Sequence, residues 1–300
     1  MKKRVLFFTG TFLYTLASFA QTTPSTQTDQ DHVKSFFKTS LSYLSNAVYQ
    51  GRKDSAVIAY IRPSISYVNK AGWNITGSVA YSPSAGQQDI ELISFEADYD
   101  HKFSPSFSAS GYAAAYFYNQ FSSAVQAETN SSASIGLNYS PQDIFSLSAD
   151  IGTTISKKPD LATSLLLARP FYFGTKGHDW GIVPGASVIA GSQQYYSSYY
   201  TERKFNQTIR IHNGRRRGNT TTNTNATTTV SQTSARKFKI LDYELSVPVT
   251  YDATKWGAFL TPIYAIPVHP LTYYEDGSTT PITETLSNSF YFTIGAYIKF

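Results

Sequence analysis

Residues 289–300 read SFYFTIGAYIKF. In an extended strand, Phe290, Phe292, Ile294, Ala296, Ile298 and Phe300 share one side, and Ser289, Tyr291, Thr293, Gly295, Tyr297 and Lys299 share the other. A strand that is apolar on one side must bury that side against something. A terminal strand of a soluble domain more often frays into polar residues. The rest of the sequence decides whether the apolar side meets a protein core or hydrocarbon.

The opposite end, MKKRVLFFTGTFLYTLASFAQ, carries Lys2, Lys3 and Arg4, then an apolar run, then Ser18 and Ala20. This layout predicts a secretory signal peptide over residues 1–20, cleaved after Ala20. A membrane anchor needs about 20 clean apolar residues, and Thr9, Gly10, Thr11 and Thr15 interrupt this run. The chain contains no cysteine, which excludes lipid attachment through one and any disulfide framework. Removing the leader leaves 22 basic against 20 acidic residues, so no overall basic character argues for nucleic acid. The 23 Tyr, 20 Phe and few charges fit strands apolar on one side only. Beyond the leader no stretch spans a membrane as a helix, so a membrane form has to be a closed barrel.

The two-residue period recurs. WNITGSVAYS sets Trp73, Ile75, Gly77, Val79 and Tyr81 against Asn74, Thr76, Ser78, Ala80 and Ser82; IFSLSADIGT and LDYELSVPVTY behave alike. Twelve such segments are counted. Two fit poorly: residues 39–50 carry apolar groups on both faces, and LATSLLLARPFYF places Arg169 on an otherwise apolar face. Alternation also describes a soluble sandwich, and the connections separate the two. Those after even-numbered strands are short (69–72, 104–106, 141–143, 175–179, 252–254). Those after odd-numbered strands are longer or polar, notably 119–130, 194–236 and 269–287. Sorting by parity is the mark of an up-and-down transmembrane barrel with its termini in the periplasm. Trp73, Trp180 and Trp256 stand just after short turns, and with Phe300 they form one periplasmic aromatic girdle. The expectation is an all-β antiparallel up-and-down barrel of about twelve strands over residues 38–300, with a polar tail over 21–37. Val33, Phe36 and Phe37 of that tail form a short helix or partial plug, an alternative left open.

The terminal aromatic Phe300, with Ile298, Ala296, Ile294 and Phe292 at alternate positions before it, resembles the C-terminal signature of bacterial outer-membrane β-barrels. That resemblance implies recognition by the barrel-assembly machinery, and Ile298 stands where an aromatic is frequent. SLSYLSNAVYQGRKDS and SYVNKAGWNITGSVAYSP are similar to uncharacterised outer-membrane proteins of Bacteroidota type, which implies fold and location but no activity.

The register points Arg62, Glu96, Asp98, Asp100, Asp150, Asp242, Glu244 and Lys299 inward, with Tyr112, Tyr116 and Tyr118. Two readings stand: a polar, mildly cation-favouring path, or charges paired for rigidity alone. Residues 201–239 hold nine basic residues, among them Arg203, Lys204, Arg210, Arg215, Arg216 and Arg217, against Glu202. This loop binds lipopolysaccharide or glycan, folds over the acidic lumen as a constriction, or is merely solvated. His212 and His269 alone sit at the outer height a Ser–His hydrolase pair needs, and no serine is fixed beside either, so catalysis is not expected. Asp98 and Asp100 fall short of the oxygens a calcium ion takes, and no metal or cofactor is expected. The function expected is a narrow passive channel for small polar or cationic solutes. The alternative is a non-conducting surface protein binding lipopolysaccharide, glycan or a partner protein.

Overall fold

Alternation becomes geometry in the computed structural model, which describes residues 35–53, 57–83, 89–119, 122, 124–141, 144–156, 158–175, 177–195, 229–230, 235–274 and 280–300. Twelve strands follow one another along the chain: β1 (Phe36–Leu44), β2 (Tyr60–Val68), β3 (Trp73–Ser82), β4 (Asp89–Ser104), β5 (Phe107–Tyr118) and β6 (Ser131–Tyr139). Then come β7 (Ser146–Ile155), β8 (Asp160–Ala168 and Phe171–Thr175), β9 (His178–Ile182 and Gly185–Gly191), β10 (Lys239–Ser246 and Val249–Ala253), β11 (Trp256–Pro267) and β12 (Ser289–Lys299). Each pairs antiparallel with the next, and β12 returns to β1 with Thr39 opposite Ile298 and Tyr43 opposite Ile294. The wall is closed, so no edge of unpaired backbone remains for lipid to meet.

The faces are sorted as the period demands. On β1, Phe37 and Leu41 point outward, 53% and 56% exposed, while Lys38, Ser40 and Ser42 are buried inside. The same inversion runs round the wall, with Ile135 and Leu137 outside and Ser132 and Ser134 inside on β6. Exposed apolar surface on this scale would cost about 25 cal/mol per Å² in water. In hydrocarbon that cost vanishes, and the buried serines have partners on neighbouring strands, as Ser40 has in Ser64 and Ser78 in Ser94.

Two segments that resisted the alternation now have causes. Proline has no N–H to give a ladder, and three strands break at Pro170, Pro184 and Pro248. The breaks line up on adjacent strands: Arg169 N donates to Pro184 O, Val183 N to Pro248 O, and Val247 N to Pro262 O. Arg169 lies on the outer face beside that break, its guanidinium 5.2 Å from the Phe171 ring centroid. Residues 39–50 are not one strand. β1 ends at Leu44, and Val48–Tyr49 pairs with Arg52–Lys53 in a small hairpin that folds inward. Gln50 and Gly51 both have positive φ (50° and 74°), as a two-residue turn of this hand requires. Phe36 and Phe37 belong to β1 rather than to a helix or plug, and Phe37 packs on Tyr67 at 5.1 Å; Val33 lies outside the described residues.

Candidate functional site: the barrel lumen

Inward residues of β2 to β6 form one continuous polar network. Arg62 Nε donates to Ser78 Oγ at 2.7 Å, and its Nη2 to Ser94 Oγ at 3.1 Å and to Glu96 Oε1. Ser78 and Ser94 are 2.8 Å apart, and Ser94 also donates to Glu96 at 3.0 Å. Tyr112 donates to Glu96 Oε2, and its hydroxyl lies 2.9 Å from that of Tyr116, which is 3.0 Å from Ser132 Oγ. Tyr118 is half-buried and its ring centroid is 6.3 Å from that of Tyr116. A guanidinium in this setting is tolerable because Glu96 and the hydroxyls replace its water.

The end that carries the chain termini, the periplasmic one in the sequence reading, is more open. Asp98 and Asp100 are half-buried on the inner face of β4, and Asn74 Nδ2 donates to Asp98 at 3.2 Å. Lys299 pairs with Asp252 across to β10, and both Lys38 and Lys299 approach the Tyr297 ring, at 5.6 and 5.5 Å. Asp150 is buried on β7 with Ser164 Oγ 3.5 Å away, a weak contact.

The outer end is packed. Leu44, Tyr60, Ala80 and Leu92 at strand ends meet Ala47, Val48 and Ile58 of the connection between β1 and β2. This apolar layer continues down the β8–β9 wall through Leu166, Ala168 and Val183, so the lumen is not polar throughout as the sequence reading had it. Above it, Tyr49, Val125, Tyr195, Ala235 and Leu271 from four outer connections gather into a second cluster. Burial there pushes the Tyr195 hydroxyl well above its ordinary pKa, so it stays protonated.

Arg52, only 1% exposed, ties the cap together. Its Nη1 donates to the carbonyls of Leu241 at 2.8 Å and Gln50 at 3.3 Å, and its Nη2 to those of Val268 and His269, both at 3.0 Å. Gln193, with its amide turned to satisfy both sides, accepts from Nε at 2.9 Å. Glu284 lies 3.8 Å away. Gly51 rides against the wall: a β-carbon there would fall 2.8 Å from both Asp242 Cγ and Pro267 Cβ. Asp242 and Glu244 lie beneath it, and Tyr291 donates to Glu244 at 3.0 Å.

All eleven residues read as inward from the sequence lie on the inner face, spread over separate clusters rather than along one path. Arg62, Glu96, Tyr112 and Tyr116 form the network; Asp242 and Glu244 sit under the plug. Lys38, Arg52, Asp160 and Asp252 went unmarked. Lys38 is the first residue of the segment read as barrel, and its alternation with Ser40 and Ser42 is a usable signal. Asp160 accepts from Ser192 Oγ and from the N–H groups of Gln194 and Tyr195, which holds the start of the long loop. Arg203, Lys204, Arg210, Arg215, Arg216, Arg217 and His212 lie outside the described residues. His269 uses Nδ1 on the Ile240 carbonyl at 2.8 Å. Around the periplasmic rim, Trp73 packs on Tyr99 at 4.7 Å, and Tyr251 lies between Trp180 and Trp256 at 4.9 and 5.1 Å. Phe300 is 74% exposed and its N–H donates to the Phe37 carbonyl.

No family model matches the chain, and no curated protein sequence matches it either. Among solved structures it is similar to a KdgM porin, at 9% identity and TM-score 0.45 over 88% of this chain and 99% of that one. It is similar also to LpxR from Salmonella typhimurium, at 8% identity and TM-score 0.48 over 88% and 100%. A third is OmpT, an outer membrane protein of Vibrio cholerae, at 8% identity and TM-score 0.31 over 89% and 96%. The barrel itself rests on the strand pairing above, and no activity follows from these likenesses. The narrower Bacteroidota resemblance rests on the quoted sequence stretches alone.

Proposed function

We propose that this protein is an outer-membrane barrel working as a narrow passive channel for small polar or cationic solutes, its outer mouth constricted by the connection between β1 and β2. The observation that carries this reading is the half-buried pair Asp98 and Asp100 on the inner face at the periplasmic end, below the hydroxyl- and carboxylate-lined network. Carboxylates in a water-filled, low-dielectric enclosure concentrate cations. The signal at residues 1–20, recognition of the last strand by the barrel-assembly machinery, and lipopolysaccharide contact by the 201–239 loop belong to the same proposal. A second reading has one observation in its favour: the apolar cap of Tyr49, Val125, Tyr195, Ala235 and Leu271 suits a non-conducting surface protein.

Planar-bilayer recording of the refolded protein decides between them. The channel reading expects cation-selective steps that grow when residues 46–57 are replaced by a short turn. Changing Asp98 and Asp100 together to Asn should move the reversal potential toward zero. Absence of current from both the full chain and the loop-shortened form would reject the channel and favour the surface-binding reading.

A further inference from the structure

The cap rests on a pair of acids for which the wall supplies almost no donors. Asp242 and Glu244 stand two residues apart on the inner face of β10, both buried, with their carboxyl groups turned on each other. The residues opposite them are Ile189 and Ser187 on β9, and Pro267 and Ala265 on β11, so the flanking wall brings no charge to either. Glu244 accepts from the Tyr291 hydroxyl of β12 at 3.0 Å. Neither oxygen of the fully buried Asp242 accepts a hydrogen bond of normal geometry, although the Ile266 N–H lies nearby.

From the cap, Arg52 is close enough to attract Asp242, but its N–H groups go to carbonyls and to Gln193, with Glu284 3.8 Å away. The Tyr195 hydroxyl is the other titratable group of the cap that acts on Asp242. At the outer lip, Lys239 Nζ donates to the His269 carbonyl at 3.0 Å, and His269 Nδ1 is engaged with the Ile240 carbonyl. Two ionised carboxylates against one guanidinium would leave a buried charge over, on an oxygen pair without donors. One proton held between the carboxyls removes both faults: it supplies an O–H donor and leaves a single negative charge opposite Arg52. A metal ion would need room. Gly51 already presses on this spot, where a β-carbon would fall 2.9 Å from Asp242 Oδ1.

We propose that Asp242 and Glu244 share one proton when the cap is seated over them, and that losing this proton as the pH rises releases the cap from the wall. The sign follows from linkage. An opened pair is hydrated and ionises as ordinary carboxylates do, whereas the seated pair keeps its proton, so opening releases one. Below the ordinary carboxylate range both states are protonated and pH has no effect; above it the opening constant climbs by up to about tenfold per pH unit. A cationic His269 would act in the opposite sense, loosening the lip toward acid. The latch itself needs no conduction; that it gates a current rests on the channel reading above.

The test places one cysteine in a chain that has none. Ala47→Cys puts a thiol at a buried position of the cap, and Thr285→Cys puts one at an exposed position of an outer connection. The full chain is refolded into vesicles, and labelling by a methanethiosulfonate reagent is followed from about pH 5 to about pH 9. The Ala47→Cys rate, divided by the Thr285→Cys rate at each pH, should climb toward alkali by up to about tenfold per unit. Asp242→Asn supplies an N–H donor to Glu244 without a titrating proton, so the ratio should stay low and flat. Glu244→Gln carries the same expectation if the first variant fails to fold. A flat ratio in the parent chain would overturn the latch. So would a slope that persists in either folded variant, since it would belong to Lys239 or another group. Bilayer current should follow the same curve; a normal labelling curve without current would reject the channel reading and leave the latch standing.

Discussion

The two ends of the lumen are built on opposite principles. Toward the periplasm and at mid-depth the space is crossed by hydrogen bonds between neighbouring strands, and every member belongs to the wall. At the outer end it is filled by a peptide that is not wall at all: the hairpin around Gln50 and Gly51, held by one guanidinium surrounded by carbonyls. The wall network locks strand to strand, so it should share the barrel's global stability. The cap is tied to the wall by Arg52, by an apolar layer and by the hold of Asp160 on Gln194 and Tyr195, all at strand ends, so it should open alone.

The largest effect expected is at Arg62. Arg62→Ala leaves Glu96 buried without its cation and should cost about 3–5 kcal/mol in urea unfolding from detergent micelles. Replacing both by Met should restore most of that. A loss no larger than that of a surface substitution would show that the network is ornamental to the wall.

Arg52→Ala comes next and tests the other end. It orphans buried carbonyls, at about 1–3 kcal/mol, but the cost should appear as local opening: faster protease cleavage of the outer connections and larger bilayer currents, with the barrel's urea midpoint nearly unchanged. Global unfolding matching Arg62→Ala would erase the distinction between the two ends. Gly51→Ala should act in the same direction by about 1–3 kcal/mol, because a side chain at φ 74° is strained and meets Asp242 and Pro267; the same protease assay reads it. The smallest effect is at the Ser66–Thr76 pair, whose hydroxyls are 2.8 Å apart. Ser66→Ala should lower stability by about 1 kcal/mol with no change in current.

This contrast also explains what could be read from residues alone. β3 announces itself because both of its faces have fixed solvents, lumen and hydrocarbon, and Trp73 to Ser82 alternates accordingly. Arg62 and Glu96 follow from register once the apolar face is chosen. The cap does not announce itself, because a peptide folded into a barrel is buried on all sides and loses its period. Ala47, Val48 and Tyr49 look like a poor strand for that reason. Three of the carbonyls that hold Arg52 lie 189 to 217 residues away, and nothing local marks them. The connection at 119–130 hid its burial behind small residues: Ala124, Val125 and Ala127 are fully enclosed although flanked by Ser, Gln and Glu. Arg169 breaks the pattern because its strand is interrupted at Pro170, which leaves it on the outer face over the Phe171 ring.

Both ends presuppose a wall whose side chains alternate between hydrocarbon and lumen, and the absence of native cysteine permits a direct test. Single cysteines at residues 37 to 43 of β1, each carrying a small fluorophore, are reconstituted in vesicles and exposed to a quencher dissolved in the lipid chains. Positions 37, 39, 41 and 43 should be quenched and positions 38, 40 and 42 protected. Uniform quenching, or protection at every position in a chain that stays soluble without detergent, would contradict the barrel.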